Sequence, residues 1–202
     1  DRDLRYQRAS EVASDITRIV PLTPAAADEA SPAAEGAKVF AMPSGARIEV
    51  TGLDGDVVLA GVRGPARIEG DAKAAVRMSG NVLSIEVGEE GDTVLVSVPE
   101  GIPASVTLRD GNVRAENLDT RLSVQTRDGE ISAARFRGAL RARTRDGDLT
   151  LRRLEVEDLE VEATDGDVLV DGLALARGTG RVRTRGGDVR GNLDRDRCSL
   201  AY

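Results

Sequence analysis

Aspartate is the residue in this chain whose type and spacing could do chemistry. Asp110, Asp128, Asp146 and Asp165 each precede a glycine (Gly111, Gly129, Gly147 and Gly166), and the steps between them are 18, 18 and 19 residues. A decayed copy, Thr184-Arg-Gly-Gly-Asp188, follows 21 residues on with Gly186 and Gly187, and an early copy has Asp54 before Gly55. Stacked carboxylates are hard oxygen ligands. A calcium ladder through Asp110, Asp128, Asp146 and Asp165, flanked by Asp148, Asp167 and Asp188, is one chemistry the pattern could support. Its spacing matches neither the EF-hand loop nor the calcium-binding nonapeptide. Paired carboxylates also perform glycoside hydrolysis. Here, however, acids are everywhere, no break in the repeat singles one out, and the only aromatic residues are Tyr6, Phe40, Phe136 and Tyr202. A plainer account covers every copy: glycine accepts positive φ, and aspartate bonds its side chain to a turn backbone. The expectation is therefore structural turns at Asp54-Gly55, Asp110-Gly111, Asp128-Gly129, Asp146-Gly147, Asp165-Gly166 and Gly186-Gly187. No catalytic residue and no cofactor is expected.

Composition removes other chemistries. There is no histidine, and Cys198 is the single cysteine. That excludes an internal disulfide, a His- or Cys-built metal site, and nucleophile–histidine triads. The net charge of −7 disfavours nucleic acid. No apolar run approaches 18 residues, so nothing here spans a bilayer as a helix. The chain begins at Asp1 rather than Met, and the lack of a leader in these residues does not count against export.

Elements of a particular kind must position the turns. Four residues before each aspartate stand Val106, Val124, Ala142 and Val161, with Val182 in the decayed copy; two before stand Leu108, Thr126, Thr144, Ala163 and Thr184. Three after stand Val113, Ile131, Leu149, Val168 and Val189; five after stand Ala115, Ala133, Leu151, Val170 and Gly191. This is period-two alternation on both sides of a corner. Leu118, Phe136, Leu154, Leu173 and Leu193 close each copy. The reading is all-β: a single-stranded β-solenoid (β-helix) of about 18–21 residues per coil, like columns stacking ~4.8 Å apart. A meander of hairpins is the competing topology, but its alternate strands would reverse and the columns would not stack in register. The prolines of Val98-Pro-Glu-Gly101 and Pro103 mark a corner or an edge.

Residues 1–37 do not share the repeat. Val12, Ile16, Ile19 and Val20 have helical spacing after a Ser10 cap and before Pro21, which predicts a short N-terminal helix or arm; Pro21 to Gly36 reads as a linker. The expected division is 1–37 and a repeat domain over 38–202. Arg109, Arg127 and Arg145 stand beside the aspartates, where they offset repulsion and could tie coils together. A polyanion-binding stripe is the sharper alternative. Thr126, Thr144 and Thr184 form a column able to hydrogen-bond along the stack.

Val94-Leu-Val-Ser-Val-Pro-Glu-Gly101, followed by Ala104-Ser-Val-Thr-Leu-Arg-Asp-Gly-Asn-Val113, resembles a bacterial family of β-strand-repeat proteins of unknown function. Its members are provisionally labelled adhesins, and Thr144-Arg-Asp-Gly-Asp-Leu149 and Thr164-Asp-Gly-Asp-Val168 look like its internal repeats. The resemblance covers about residues 38–195. It implies a β-helix-like fold and a role in the cell envelope or at the surface; it supplies no catalytic residues. The expected function is a non-enzymatic structural or interaction module, an adhesin-like scaffold. A self-assembling solenoid is the alternative, and a carbohydrate-active enzyme the second alternative. Protein partners or self-association are expected through the solenoid ends and residues 1–37, without nucleic acid. Membrane attachment is expected only through a segment outside this chain, and the expected location is the cell envelope or extracellular space.

Overall fold

The computed structural model describes residues 37–70, 74–88, 93–176 and 179–193. By internal contacts the chain divides into Asp1–Pro32 and Ala33–Tyr202, and all described residues lie in the second unit. The predicted N-terminal helix therefore falls outside the described residues.

All regular structure among these residues is strand. The strands are β1 Lys38–Phe40, β2 Arg47–Asp54, β3 Asp56–Val62, β4 Ala66–Gly70, β5 Ala75–Ser79, β6 Val82–Val87, β7 Thr93–Pro99 and β8 Ala104–Asp110. They continue with β9 Val113–Glu116, β10 Asp119–Gln125, β11 Ile131–Arg143, β12 Leu149–Glu162, β13 Val168–Leu175, β14 Gly180–Arg183 and β15 Val189–Leu193.

Parallel pairing arranges them in two rows joined by the Asp-Gly corners. One row runs β7, β3, β9, the first half of β11, the first half of β12, β13 and β15. The other runs β6, β2, β8, β10, the second halves of β11 and β12, and β14. The meander is thereby excluded for these strands, and the fold is β-solenoid-like. Register follows the columns of the sequence: Val106 faces Val124, Val124 faces Ala142, Ala142 faces Val161, and Val161 faces Val182.

The two rows share one thin core of Val, Leu, Ile and Ala. Leu118, Phe136, Leu154 and Leu173 are buried at the corner opposite the Asp-Gly turns. Phe136 is the one ring among the fully buried side chains, so branched aliphatics supply the remaining bulk.

Coil order departs from chain order at one end. β6 and β7 stack on the outer side of β2 and β3, whereas β8 and β9 stack on their inner side. The cause lies in residues 66–82. β4 pairs antiparallel with β7, and β5 pairs antiparallel with β6. Gly80, at φ 56, supplies the positive φ of the two-residue turn between Ser79 and Val82. This hairpin returns the chain inside its own cap, and β1 extends the cap by pairing with β4.

Val98-Pro-Glu-Gly101 then carries the chain across. Pro99 ends β7, a central strand, as a corner. The Glu100 amide donates to the Val62 carbonyl at 3.2 Å, and the Gly101 amide to that of Asp119 at 2.9 Å. A solenoid of strictly successive coils is thus corrected at 66–101, where antiparallel pairing covers edges that would otherwise be bare.

Candidate functional site

Every predicted turn from Asp54-Gly55 to Gly186-Gly187 sits at one corner of the stack, between the two rows. Asp54 pairs in register with Asp110. Asp110, Asp128 and Asp146 form a ladder of neighbouring carboxyls. Asp128 lies within hydrogen-bonding reach of both neighbours, and this is the first cause of all three shifts. Accepting from Asp110 and Asp146 holds Asp128 below the ordinary carboxylate value. Donating to Asp128 pushes Asp110 and Asp146 above it, with desolvation adding to the rise. Each arginine pairs with the aspartate of its own coil: Arg109–Asp110 at 3.4 Å, Arg127–Asp128 at 3.6 Å and Arg145–Asp146 at 3.6 Å. The row softens repulsion within coils, and among the described residues these three arginines form ion pairs only within their own coils. The acids stand in a line rather than around a point. Among the described residues no three acids are grouped to hold a metal ion.

The glycines serve a different purpose from the one expected. Of the Asp-Gly glycines only Gly55 has positive φ, at 128. The others are required by close approach: a Cβ on Gly129 would lie 2.0 Å from the Gly111 carbonyl oxygen, and one on Gly147 would lie 2.1 Å from that of Gly129. Gly111, Gly166 and Gly187 meet the preceding coil in the same way, at 2.1, 2.0 and 2.2 Å. Backbone passes over backbone at this corner, and only hydrogen fits between.

The threonine column completes the packing. The hydroxyls donate to glycine carbonyls of the preceding coil rather than to one another: Thr126 to Gly111 at 3.3 Å, Thr144 to Gly129 at 3.1 Å and Thr184 to Gly166 at 2.9 Å.

After four of the glycines, Asp56, Asn112, Asp148 and Asp167 carry a role that sequence reading passed over. The Asn112 amide donates to Asp56 Oδ1 at 3.0 Å, and the Glu130 amide to Asn112 Oδ1 at 3.0 Å. The Asp167 amide donates to Asp148 Oδ1 and the Asp188 amide to Asp167 Oδ1, both at 2.8 Å. Each short polar side chain satisfies a backbone donor of the next coil. Recurrence of Asp or Asn at this position was the available signal.

A surface groove of about 650 Å³ runs along the opposite corner, over Leu118, Phe136 and Leu154. Its rim includes Asn117, Arg135, Arg153 and Gly172, one per coil, with φ of 55, 52, 54 and 73. Left-handed backbone is costly for a branched or long side chain and ordinary for Gly and Asn. Arg135 is held by Asn117 Oδ1 at 2.6 Å and Glu116 Oε2 at 3.1 Å, and Arg137 by Glu155 at 3.0 Å. Asn117 and Gly172, each before a closing apolar residue, were the legible traces of this column. The arginines concealed it. Arg63, Arg137, Glu100, Asp119 and Glu155 also line the groove, so both signs of charge meet there. Such a surface can hold a polar ligand through guanidinium and carboxylate groups.

Comparison with known proteins adds to this geometry. No curated protein matches the chain. A crystal structure of a protein provisionally labelled a cell adhesion protein, from Clostridium sporogenes, matches with a TM-score of 0.43 and 10% identity, over 78% of this chain and 99% of that one. The signature of the Toastrack DUF4097 family matches residues 66–193, more than half of the chain, from β4 through β15. The chain belongs to the Toastrack DUF4097 family.

Proposed function

We propose that this chain is a non-enzymatic interaction module of the bacterial cell envelope or surface: an adhesin-like scaffold in which each 18–21-residue unit is one coil of a single-stranded solenoid. One observation carries the reading. Solvent-facing positions repeat from coil to coil in register. Ser105, Ser123, Arg141, Glu160 and Arg181 form one outward column, and Thr107, Gln125, Arg143, Glu162 and Arg183 the next. Neighbours in such a column lie ~4.8 Å apart. Cross-coil pairs fix their side chains: Arg141 donates to Glu160 through two nitrogens, and Arg143 reaches Glu160 at 2.7 Å and Glu162 at 3.5 Å. An ordered, polar, equally spaced surface suits an extended partner. The corner aspartates have structural work that needs no substrate.

The test is saturable binding of the purified protein to intact bacterial cells and to purified cell-wall polysaccharide. The expected result is binding that Arg141→Glu/Arg143→Glu weakens about tenfold or more while the melting temperature stays within about 2 °C, as exposed charges contribute little to stability. Absence of binding to both contradicts the adhesin-like reading. Release of new reducing ends from the polysaccharide contradicts the non-enzymatic one.

A further inference from the structure

The buried residues Leu118, Phe136 and Leu154 floor the surface groove, and their neighbours in sequence form its two walls. One wall is the left-handed column Asn117, Arg135, Arg153 and Gly172. The other is Asp119, Arg137, Glu155 and Ala174, which the parallel strands hold in register. The groove runs from the coil of β3 through those of β9, β11 and β12 to that of β13. That is four steps of ~4.8 Å, or ~19 Å along the stack.

The walls differ in charge. The left-handed one carries two guanidinium groups and no acid; the facing one carries two carboxylates and one guanidinium. Arg137 is engaged by Glu155 at 3.0 Å, and Arg135 by Glu116 and Asn117. Arg153 is different. It is exposed in the groove, and among the described residues its guanidinium has no hydrogen-bond or ion-pair partner. On the other wall the Asp119 carboxylate is likewise without an ion pair among the described residues. Arg153 also stands on backbone at φ 54, which Asn and Gly adopt at less cost, as Asn117 and Gly172 do in the same column. A long cation on unfavourable backbone, with no described group of its own fold to hold it, is stability given up for a contact outside the fold.

We propose that this groove binds an acidic polysaccharide, a chain of uronic-acid sugars laid along the stack, with Arg153 receiving a sugar carboxylate. The guanidinium fork takes a carboxylate through two hydrogen bonds. Asp119 accepts hydrogen bonds from sugar hydroxyls. A ligand that carries both carboxylates and hydroxyls thus matches a groove with one basic and one acidic wall. A polyphosphate, charged at every unit, would meet Asp119, Glu155 and the chain's net charge of −7. An extended acidic peptide presents side chains on one side every ~6.8 Å, twice the strand rise, which misses the ~4.8 Å coil step. A sugar ring in a chain is about as long as one coil step. The site is separate from the outward columns of Arg141 and Arg143, and its test is independent of theirs.

Isothermal titration calorimetry of the intact protein with oligogalacturonate is the test. The expected result is saturable binding that Arg153→Asn weakens about tenfold or more, the scale of one charge-assisted contact. Arg152→Asn removes the same charge one residue away, outside the groove lining, and changes binding by less than about twofold. Arg153→Asn does not lower the melting temperature, because asparagine accepts this backbone better, so lost binding is not lost fold. Arg153→Gly, copying Gly172, repeats the loss of binding. The methyl-esterified oligomer, with the same sugars and no charge, binds about tenfold or more weakly. Absence of saturable binding to oligogalacturonate overturns the proposal. So do equal effects of Arg152→Asn and Arg153→Asn, or an ester bound as tightly as the acid. Polyglutamate bound as tightly as oligogalacturonate also overturns it, and would assign the groove to acidic peptides.

Discussion

Replacing Gly147 by alanine tests why glycine recurs at the corner. The added Cβ lies 2.1 Å from the Gly129 carbonyl oxygen, where contacts under 3.0 Å essentially never occur. The obstruction is backbone, so no rotamer relieves it, and the two coils must part locally by roughly 1 Å, enough to forfeit much of the dispersion well. Two bonds span that gap: Asp146 amide to Arg127 carbonyl at 2.8 Å, and Thr144 hydroxyl to Gly129 carbonyl at 3.1 Å. Weakening each costs about 0.5–1.5 kcal/mol, and overpacking itself about 1–3 kcal/mol. With partial relaxation the net loss is about 2–4 kcal/mol, a fall in melting temperature of roughly 5–15 °C for a domain of this size. Gly64→Ala is the control, since a Cβ there meets nothing within 4 Å; it changes stability by less than about 1 kcal/mol. Thermal and urea unfolding followed by circular dichroism measure both. If Gly147→Ala melts within a degree or two of Gly64→Ala, the close-approach explanation of the Asp-Gly column is refuted.

Truncating Phe136 to alanine empties the largest buried site and costs about 3–5 kcal/mol; a loss under 1 kcal/mol by urea unfolding would mean the coil collapses onto the cavity. Asp148→Ala removes the 2.8 Å acceptor of the solvent-facing Asp167 amide and costs about 0.5–1.5 kcal/mol by the same measurement; Ser132→Ala, outward and without such a bond, serves as the reference. In the carboxyl ladder, Asp110 and Asp146 have raised folded values, so their stabilisation is present at low pH and lost as pH rises through those values. Asp128, lowered, contributes above its unfolded value and is lost as pH falls through its folded one. Asp128→Ala removes the shared partner, and carboxyl NMR titration should show Asp110 and Asp146 titrating at lower pH; unmoved midpoints contradict the ladder. Arg153→Asn places a residue tolerant of φ 54 at the groove rim and raises stability by about 0.5–1 kcal/mol; destabilisation would show that the arginine has an unrecognised structural partner.

The regular coils were legible because their columns obey two periods at once, two along the strand and about 18 along the chain. Val106, Val124, Ala142 and Val161 could be stacked on paper, and they stack so in the fold. The corner glycines were found for a reason that applies only to Gly55, since close approach of backbones leaves no mark distinct from turn preference. The order of coils at 66–101 was not legible. Antiparallel return through Gly80 depends on which edge is free when the chain arrives, a tertiary fact that local alternation does not encode. The groove was hidden for another reason: Arg135 and Arg153 occupy backbone positions that arginine rarely takes, so residue type pointed away from the conformation that the neighbouring coils impose.

Disulfide trapping tests the stack order most directly. In a Cys198→Ser background, Glu49→Cys/Ser105→Cys joins residues that face each other across β2 and β8, within the reach of a disulfide. Ser84→Cys/Ser105→Cys joins residues on opposite sides of β2, about two strand spacings or ~9.6 Å apart. The account predicts rapid oxidation of the first pair and none of the second on a non-reducing gel of folded protein. Oxidation of the second pair but not the first would mean that the coils follow one another in chain order, and would contradict it.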